Sequence, residues 1–348
     1  MYSLLRPLLF RLEPESAHRL TLQFLRITGA LPPLNWAVGR AFQVTAKPVQ
    51  ASGLTFRNPV GLAAGYDKDG VAIRGLAALG FGHIEIGTVT PRPQPGNPGP
   101  RLFRLAEDQA LINRLGFPSK GAYFASMSLS QIPRLAGRGA QRRSNPPIVG
   151  VNLGKNKDTP LEEAADDYLS LMGQFMARAS YLAINVSSPN TEGLRRLQSR
   201  DMLEALLNAI ARGREAIASG QAGNAPILVK LAPDLSEAEL DDAVGVIIDK
   251  KMDGIIATNT TSERQGLTSP HGREAGGLSG APLSARSEAV LQRIVRRVDG
   301  KIPVVSVGGI MTPQDARKRL DMGAVLIQVY SGLIYRGPGL VRDILRSL

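Results

Sequence analysis

Eight short apolar segments, separated by longer and more polar stretches, constrain the fold of this chain more than any other feature of its 348 residues. Each segment is a nearly continuous apolar run, which is typical of strands covered on both faces in a parallel sheet. Helical patterns between them cover residues 161–179, 201–217, 236–250, 287–298 and 313–322. Eight strand–helix units predict an α/β fold that closes into a (β/α)₈ TIM barrel rather than an open sheet. The segments begin at Asn58, Phe81, Pro146, Tyr181, Pro226, Asp253, Ile302 and Ala324.

The composition supports one large core and excludes several kinds of site. Hydrophobic residues make up 43% and charged residues 21% of the chain, the balance of a globular protein. The chain has no cysteine, which excludes disulfides, iron–sulfur clusters, thiolate metal sites and cysteine nucleophiles. With three histidines, no metal centre is predicted. The net charge of +12 favours anionic partners.

The N-terminus is apolar, but no run reaches the roughly 20 residues that span a bilayer. An apolar segment at 4–12 precedes Pro14, which allows a helix to begin. Two adjacent rows at helical spacing then form one wide apolar face: Leu20, Phe24 and Ile27, and His18, Leu22 and Leu25. Two interpretations stay open: a helical pair packed on the main domain, or an interfacial pair whose apolar face meets lipid.

Polar residues follow the predicted strands at the end where barrel active sites lie. They are mostly amides, hydroxyls, glycines and a lysine, with almost no carboxylates. A Gly- and Pro-rich insertion at 91–117 follows the second strand, and long ordered loops at this end are usually functional. The strand-end residues are GLAAGYDKDG (61–70), Thr88, Asn152, NVSSPNTEGLR (185–195), Lys230, TNTT (258–261), Gly308, Gly309 and Tyr330 to Gly332.

These strand ends predict a flat, phosphorylated cofactor. Lys230, inside a short apolar strand, either meets an electron-rich partner or pairs with a buried acid. Asn152 and Asn185 either bind a heterocycle or cap loops. The two glycines at 308–309, with Tyr-Ser-Gly after the eighth strand, match the phosphate site of TIM barrels. Flavin mononucleotide (FMN) fits this set, and His83 is predicted to be structural.

Two other functions stay open from the residues alone. A non-redox, phosphate-binding aldolase or isomerase would form a Schiff base at Lys230. A nucleic-acid-binding protein would use the basic surface. Aromatic residues make up only 5% of the chain and are not interleaved with basic ones, so no nucleic-acid partner is predicted.

Ten motifs, in order along essentially the whole chain, resemble the dihydroorotate dehydrogenase family in its quinone-dependent, membrane-associated class. The most specific of them is NVSSPNT. The resemblance implies oxidation of (S)-dihydroorotate to orotate in de novo pyrimidine (UMP) biosynthesis, with hydride passing to flavin N5 and electrons passing to a membrane quinone. The motifs are GLAAGYDKDG, IGTVTPRPQPGNPGPRLFRL, NRLGF, VNLGKNK, NVSSPNTEGLR, KLAPDL, TNTT, GGLSG, VGGI and QVYSGLIYRGP.

The resemblance also implies roles for single residues. Ser188 is the implied catalytic base, its proton passing to a relay of water and Thr191 or a neighbouring hydroxyl; the soluble class has a cysteine there. The implied substrate contacts are Lys68, Asn113, Arg114, Leu115, Gly116, Phe117, Asn185, Asn190, Asn259 and Thr260. The implied contacts to one FMN per chain are Ala64, Gly65, Tyr66, Asp67, Lys68, Thr88, Asn152, Asn185, Lys230, Thr258, Gly280, Gly309, Tyr330 and Ser331.

The N-terminal segment gains a role from the same resemblance. Residues 1–40 are expected to form a helical extension that gives a quinone access from the membrane, and residues 41–348 the FMN-binding barrel. His18 and Arg104 are expected to line the quinone tunnel near Tyr330. The protein is therefore expected to be a monomer, peripherally bound to an anionic membrane at the cytoplasmic face of the cell membrane.

Overall fold

The computed structural model describes residues 2–132, 147–219 and 224–348. Pro146, the first residue of the third predicted strand, lies outside the described residues. The strands are β1 Val49–Ala51, β2 Leu54–Phe56, β3 Val60–Leu62, β4 His83–Val89, β5 Leu102–Leu105, β6 Ala110–Asn113, β7 Ile148–Leu153, β8 Tyr181–Asn185, β9 Ile227–Leu231, β10 Gly254–Ala257, β11 Gly277–Gly280, β12 Val304–Val307 and β13 Leu326–Val329.

The helices are likewise numbered along the chain, and 3₁₀ turns lie at Leu194–Gln198, Pro270–Arg273 and Ala281–Leu283. The α-helices are α1 Tyr2–Arg11, α2 Pro14–Ala30, α3 Pro32–Ala41, α4 Ile73–Ala78, α5 Gly121–Ser130, α6 Ala164–Phe175, α7 Arg200–Ser219, α8 Glu237–Asp249, α9 Ser284–Val298, α10 Pro313–Asp321, α11 Ser331–Arg336 and α12 Leu340–Ser347.

Eight parallel strands close into a barrel in the order β3, β4, β7, β8, β9, β10, β12 and β13. The ring closes where Gln328 of β13 stands opposite Gly61 of β3. Each of these eight barrel strands lies within one of the eight predicted segments, so the predicted TIM barrel is confirmed. Nearly every residue of these strands is buried, because helices cover the outer face and side chains fill the inside.

Two small sheets stand outside the barrel, and the sequence patterns did not predict them. The hairpin β1–β2 is antiparallel. The second sheet has the order β11–β6–β5, so the 91–117 insertion pairs with the distant segment 277–280. Its strands have only four residues each, which is too short for a clear alternating pattern.

Helix α2 packs against α4 with one face and presents an apolar surface on the other. Glu13 caps its N-terminus by accepting hydrogen bonds from the backbone N–H groups of Glu15 (3.0 Å) and Ser16 (2.7 Å). Of the two predicted rows, Leu25 is buried and His18 and Leu22 are half-buried, whereas Leu20, Phe24 and Ile27 are exposed. The row with Leu25 therefore packs on the main domain, whereas contact of the exposed row with lipid stays a prediction. A third N-terminal helix, α3, begins at Pro32, where only a helical pair was predicted.

Helices α2 and α4 approach so closely that only glycine fits at their crossing. A Cβ atom on Gly75 would lie 2.1 Å from the Leu25 carbonyl oxygen, and one on Gly29 would lie 2.6 Å from the Gly75 nitrogen. Backbone atoms meet here without side chains between them, so the crossing cannot absorb an added methyl group.

Gly75→Ala is therefore expected to lower the free energy of unfolding by roughly 1–3 kcal/mol, because the two helices must separate. Gly39→Ala is the matched control, since a Cβ atom there meets nothing within 4 Å. This control is expected to be neutral or to stabilise by up to about 1 kcal/mol. Urea unfolding of both variants measures the difference. Equal stability of the two would show that the crossing is looser than described.

Candidate active site

A cavity of about 960 Å³, open to solvent, lies at the C-terminal ends of the barrel strands. Residues from the strand ends and from the β5–β6–β11 sheet line it. Among the predicted site residues, the cavity is lined by Ala64, Gly65, Lys68, Thr88, Asn113, Leu115, Gly116, Phe117, Asn185, Ser188, Asn190, Lys230, Thr258, Asn259, Thr260, Gly280, Gly309, Tyr330 and Ser331.

Lys230 lies on the cavity wall and is paired with a buried acid. Its Nζ is 3.6 Å from Oε1 of Glu85, and both side chains are almost completely buried. The Glu85 carboxylate also accepts hydrogen bonds from Asn152 Nδ2 (2.8 Å), Tyr181 OH (3.0 Å) and Gln328 Nε2 (2.8 Å). Sequence reasoning missed Glu85, although a glutamate inside the apolar segment FGHIEIGTV was a signal. The pair holds the Lys230 ammonium in one place at the cavity wall, with its charge balanced by Glu85.

Three polar side chains form a hydrogen-bonded layer beside Lys230. Asn185 Nδ2 donates to Asn152 Oδ1 and to Thr88 Oγ1, both at 3.0 Å, and Thr88 Oγ1 donates to Asn152 Oδ1 at 2.6 Å. Thr88 and Asn185 reach the cavity, whereas Asn152 lies behind them. Because every one of these groups is buried and partnered, the layer has one fixed geometry.

Ser188 sits in a buried loop that other loops hold in place. Its Oγ accepts a hydrogen bond from the Asn190 backbone N–H at 3.2 Å. Asn190 Nδ2 donates to Asn113 Oδ1 at 3.0 Å, and Asn259 Nδ2 donates to Ser187 Oγ at 3.0 Å. These bonds join three separate loops around Ser188, and all their amides face the same cavity.

An arginine that sequence reasoning did not single out ties two of these loops together. Arg195 donates to the backbone oxygens of Ser187 (3.3 Å) and Thr260 (2.9 Å), and it pairs with Asp234 at 2.8 Å. It lies at the end of NVSSPNTEGLR, and Asp234 lies in KLAPDL, so its partner was visible only once the barrel was closed.

Backbone of the Gly308–Gly309 turn forms one end of the cavity, where it meets Tyr330, Ser331 and Gly280. Gly309 has a φ of +70°, and a Cβ atom there would lie 2.3 Å from the Cα of Ser284. Only glycine allows this turn to rest on the first residue of α9. The result is a wall of backbone groups rather than side chains, a surface that suits a phosphate.

Comparisons with known proteins agree with this geometry. A family model described as Dihydroorotate dehydrogenase matches residues 48–348. The chain belongs to the dihydroorotate dehydrogenase family. The relative from Thiobacillus denitrificans, named "Dihydroorotate dehydrogenase (quinone)", is 47% identical, covering 100% of this chain and 99% of its own. The relative of the same name from Acidithiobacillus ferrooxidans is 49% identical, covering 100% and 94%.

A solved structure extends the likeness to three dimensions. The crystal structure of DHODH in complex with ferulenol from Eimeria tenella has a TM-score of 0.86 and 37% identity, covering 98% of this chain and 93% of that one. The predicted family and its quinone-dependent class are thereby confirmed. Members of this family are flavin-dependent oxidoreductases.

Four of the residues predicted to contact FMN or substrate do not line the cavity: Tyr66, Asp67, Arg114 and Asn152. The Asp67 carboxylate accepts from the backbone N–H groups of Val71 (2.9 Å) and Ala72 (2.7 Å), so its side chain shapes the loop. Arg114 pairs with Glu274 at 2.6 Å. Asn152, in contrast, bonds directly to the side chains of Thr88 and Asn185, which do line the cavity.

Of the two residues expected along a quinone path, His18 lies on α2 and Arg104 lies on β5. The ring of His18 stands edge-on to Tyr66 at 5.0 Å, and Tyr66 stands edge-on to Tyr330 at 5.9 Å. Burial, together with the nearby Lys68, lowers the pKa of His18 to about 4. His18 is therefore neutral at physiological pH. Arg104 donates to the Phe10 carbonyl at 3.0 Å and lies over the Phe10 ring.

His83 lies away from this cavity, against Phe56 and Tyr181. Burial lowers its pKa to about 4, so it is a neutral ring inside the barrel. These contacts agree with the structural role predicted for it.

The amino group of Lys68 titrates near neutral pH in this protein. Burial, together with the guanidinium of Arg101, lowers the pKa of Lys68 to about 7, while Glu15 and Asp69 act in the opposite direction. An anion bound beside Lys68 would raise that pKa again, because it favours the ammonium form.

The affinity of the protein for orotate is therefore expected to fall as pH rises above about 7, by up to about tenfold per pH unit. Below pH 7 Lys68 is protonated with or without ligand, so its titration adds no pH dependence there. Flavin difference spectra during orotate titration measure the effect between pH 6 and 9. Lys68→Met should bind weakly at every pH; a Lys68→Met profile as steep as that of the wild type would contradict this assignment.

Proposed function

We propose that this chain oxidises (S)-dihydroorotate to orotate on one bound FMN and passes two electrons to a membrane quinone. The observation that carries the proposal is that Ser188, Lys68, Lys230 and the Gly308–Gly309 turn all face one cavity. Membership of the dihydroorotate dehydrogenase family supports the same reaction. The overall balance is dihydroorotate plus quinone giving orotate plus quinol.

The residues that line the cavity suit the chemistry of FMN. The backbone wall at Gly309 and Ser331 would hold the phosphate, and Lys230 with Thr88 and Asn185 would hold the flat ring. Ala64, Gly65, Thr258, Gly280 and Tyr330 complete the proposed contacts. When bound, FMN supplies the two-electron acceptor for dihydroorotate and the donor for quinone.

The polar residues of the outer cavity suit dihydroorotate. Asn113, Asn190 and Asn259 each present a donor and an acceptor in one plane, which matches the amide-like edges of the pyrimidine ring. Lys68 and the backbone of residues 114–117 would hold the carboxylate. Thr260 completes the set. Because Asn190 already bonds Asn113, and Asn259 already bonds Ser187, the substrate meets a preformed site.

Ser188 is the proposed base that removes the proton from C5 of dihydroorotate. It is almost fully buried and lines the cavity. A serine hydroxyl is a poor base unless its own proton moves on, so a relay is required. Thr191, also buried and three residues along the chain, is the proposed neighbour in that relay. The Asn190 N–H bond to Ser188 Oγ stabilises negative charge on that oxygen.

The N-terminal residues 1–40 are the proposed route for quinone and the proposed membrane contact, with residues 41–348 as the catalytic domain. His18 and Arg104 line the proposed path toward Tyr330. Of the twelve large apolar side chains that are exposed in the described residues, ten lie between Leu4 and Trp36. In the parts of the chain that the structure describes, no helix is both long and apolar enough to span a bilayer.

This pattern supports peripheral attachment to an anionic membrane, which the charge of +12 favours. We propose that the protein is a monomer and that it binds at the cytoplasmic face of the cell membrane.

An anaerobic visible spectrum tests the reaction directly. The purified full-length protein should be yellow, should bleach when dihydroorotate is added, and should recover its colour when a ubiquinone analogue follows. A colourless protein, or a flavin that dihydroorotate does not bleach, would overturn the proposal. The ion pair between Lys230 and Glu85 disfavours a Schiff base at Lys230, so borohydride with carbonyl substrates should trap no adduct.

A further inference from the structure

A completely buried arginine lies directly behind the proposed phosphate wall. Arg319 of α10 has no exposed side-chain surface. Its Nη2 donates to the backbone oxygens of Ser284 and Gly308, both at 3.0 Å, and to Ser284 Oγ at 3.2 Å. Its Nη1 reaches Ser306 Oγ at 3.5 Å. One guanidinium therefore joins the end of β12 to the first turn of α9.

The bond to the Gly308 oxygen sets the direction of the next N–H group. The peptide between Gly308 and Gly309 is trans, so its C=O and N–H groups point in opposite directions. Because Arg319 holds the Gly308 oxygen on the buried side, the Gly309 N–H points toward the cavity. No atom in the described parts of the chain accepts a hydrogen bond from that N–H.

Ser287 strengthens the same arrangement from α9. Its buried hydroxyl donates to the Gly308 oxygen at 2.8 Å and to the Ser284 oxygen at 3.0 Å. Gly309 rests on the backbone of Ser284, so the turn is held both by hydrogen bonds and by close packing.

Two carboxylates act on the buried charge of Arg319. Its Nε lies 3.5 Å from Glu288 Oε1, while the other oxygen of Glu288 pairs with Lys318 at 2.6 Å, and Asp315 also interacts with Arg319 electrostatically. The guanidinium lies in a water-poor region directly behind the Gly308–Gly309 turn, where its charge is attractive to an anion on the other side of the turn.

We propose that Arg319 is a positioning residue for the phosphate of the bound flavin: it orients the Gly309 N–H and places a positive charge behind it without contacting the ligand. This inference rests on the proposed function. It predicts that loss of Arg319 weakens the binding of FMN but not the binding of riboflavin, which has the same ring system and no phosphate.

Two measurements on the full-length protein test the proposal. The first is FMN release from the holoenzyme on dilution, followed by flavin fluorescence. The second is rebinding of FMN and of riboflavin to the flavin-free protein, with circular dichroism as a check of folding. The variants are Arg319→Met and Arg319→Lys, with Arg296→Met on the exposed face of α9 as the matched control.

Arg319→Met should weaken FMN binding by roughly 10- to 100-fold, because the buried carbonyls lose one of their two donors and the turn is held less firmly. Its affinity for riboflavin should equal that of the wild type, and Arg296→Met should change neither. Arg319→Lys keeps the charge but loses the planar fork, so an intermediate loss is expected.

Unchanged FMN affinity, or equal losses for FMN and riboflavin, would overturn the proposal. A wild type that binds no FMN would instead overturn the proposed function. If Arg319→Met does not fold, Ser287→Ala decides, since it removes one donor to the Gly308 oxygen; it should weaken FMN binding by roughly 3- to 10-fold and leave riboflavin unaffected. No selective loss in that variant would count against the role of the turn.

Discussion

Ser188→Ala should slow the reduction of bound flavin by dihydroorotate by roughly 10²- to 10⁴-fold, the range that a positioned general base contributes. Flavin binding should persist, because the hydrogen-bonded layer of Thr88, Asn152 and Asn185 does not include Ser188. Anaerobic stopped-flow absorbance separates this step from quinone reduction. Re-oxidation of the reduced variant by quinone should proceed at the wild-type rate.

Ser188→Cys provides the matched test of the base. A thiol ionises near pH 8.5, far below a serine hydroxyl, so this variant should recover part of the lost rate and should quicken as pH rises toward 8.5. Reduction of Ser188→Ala at the wild-type rate would remove Ser188 from the mechanism. A Ser188→Cys variant with a flat pH profile would argue against proton abstraction at this position.

Glutamate at three exposed positions of the N-terminal helices should abolish membrane binding. Leu8, Phe24 and Trp36 are 58%, 60% and 72% exposed. Each apolar side chain of this size contributes roughly 1.5–3 kcal/mol when it leaves water. The triple substitution Leu8→Glu, Phe24→Glu and Trp36→Glu should therefore lower the affinity for anionic vesicles by at least about 1,000-fold. Vesicle co-sedimentation measures it.

The same variant should reduce its flavin at the wild-type rate but turn over slowly with a quinone embedded in vesicles. Tyr123→Glu with Met127→Glu is the control, because both side chains are exposed and apolar but lie on α5. Substitution is a cleaner test than deletion of residues 1–40, since α2 packs against α4 at Gly75. Equal vesicle binding by the control and the triple variant would contradict the proposed membrane surface.

The sequence by itself determined the barrel and the chemistry of its mouth. Apolar runs short enough for strands and too continuous for a half-exposed sheet require that both faces of the sheet be covered, and eight such strands close a ring with helices outside and side chains inside. Parallel strands bring all their C-terminal ends to one rim. Lys230, Ser188 and the 308–309 glycines could therefore be assigned to one site although they lie far apart in the chain.

Only the tertiary structure decided which partner each polar group meets. Glu85 and Lys230, Arg195 and Asp234, and Arg319 and Gly308 are pairs whose members come from different elements. Asn152 and Asn185 occupy equivalent strand ends, yet one lies behind the other. Local patterns report which face of an element is buried, but lateral contacts depend on strand stagger and on how helices sit on the barrel. Those quantities are set by packing of the whole core, so no single segment encodes them.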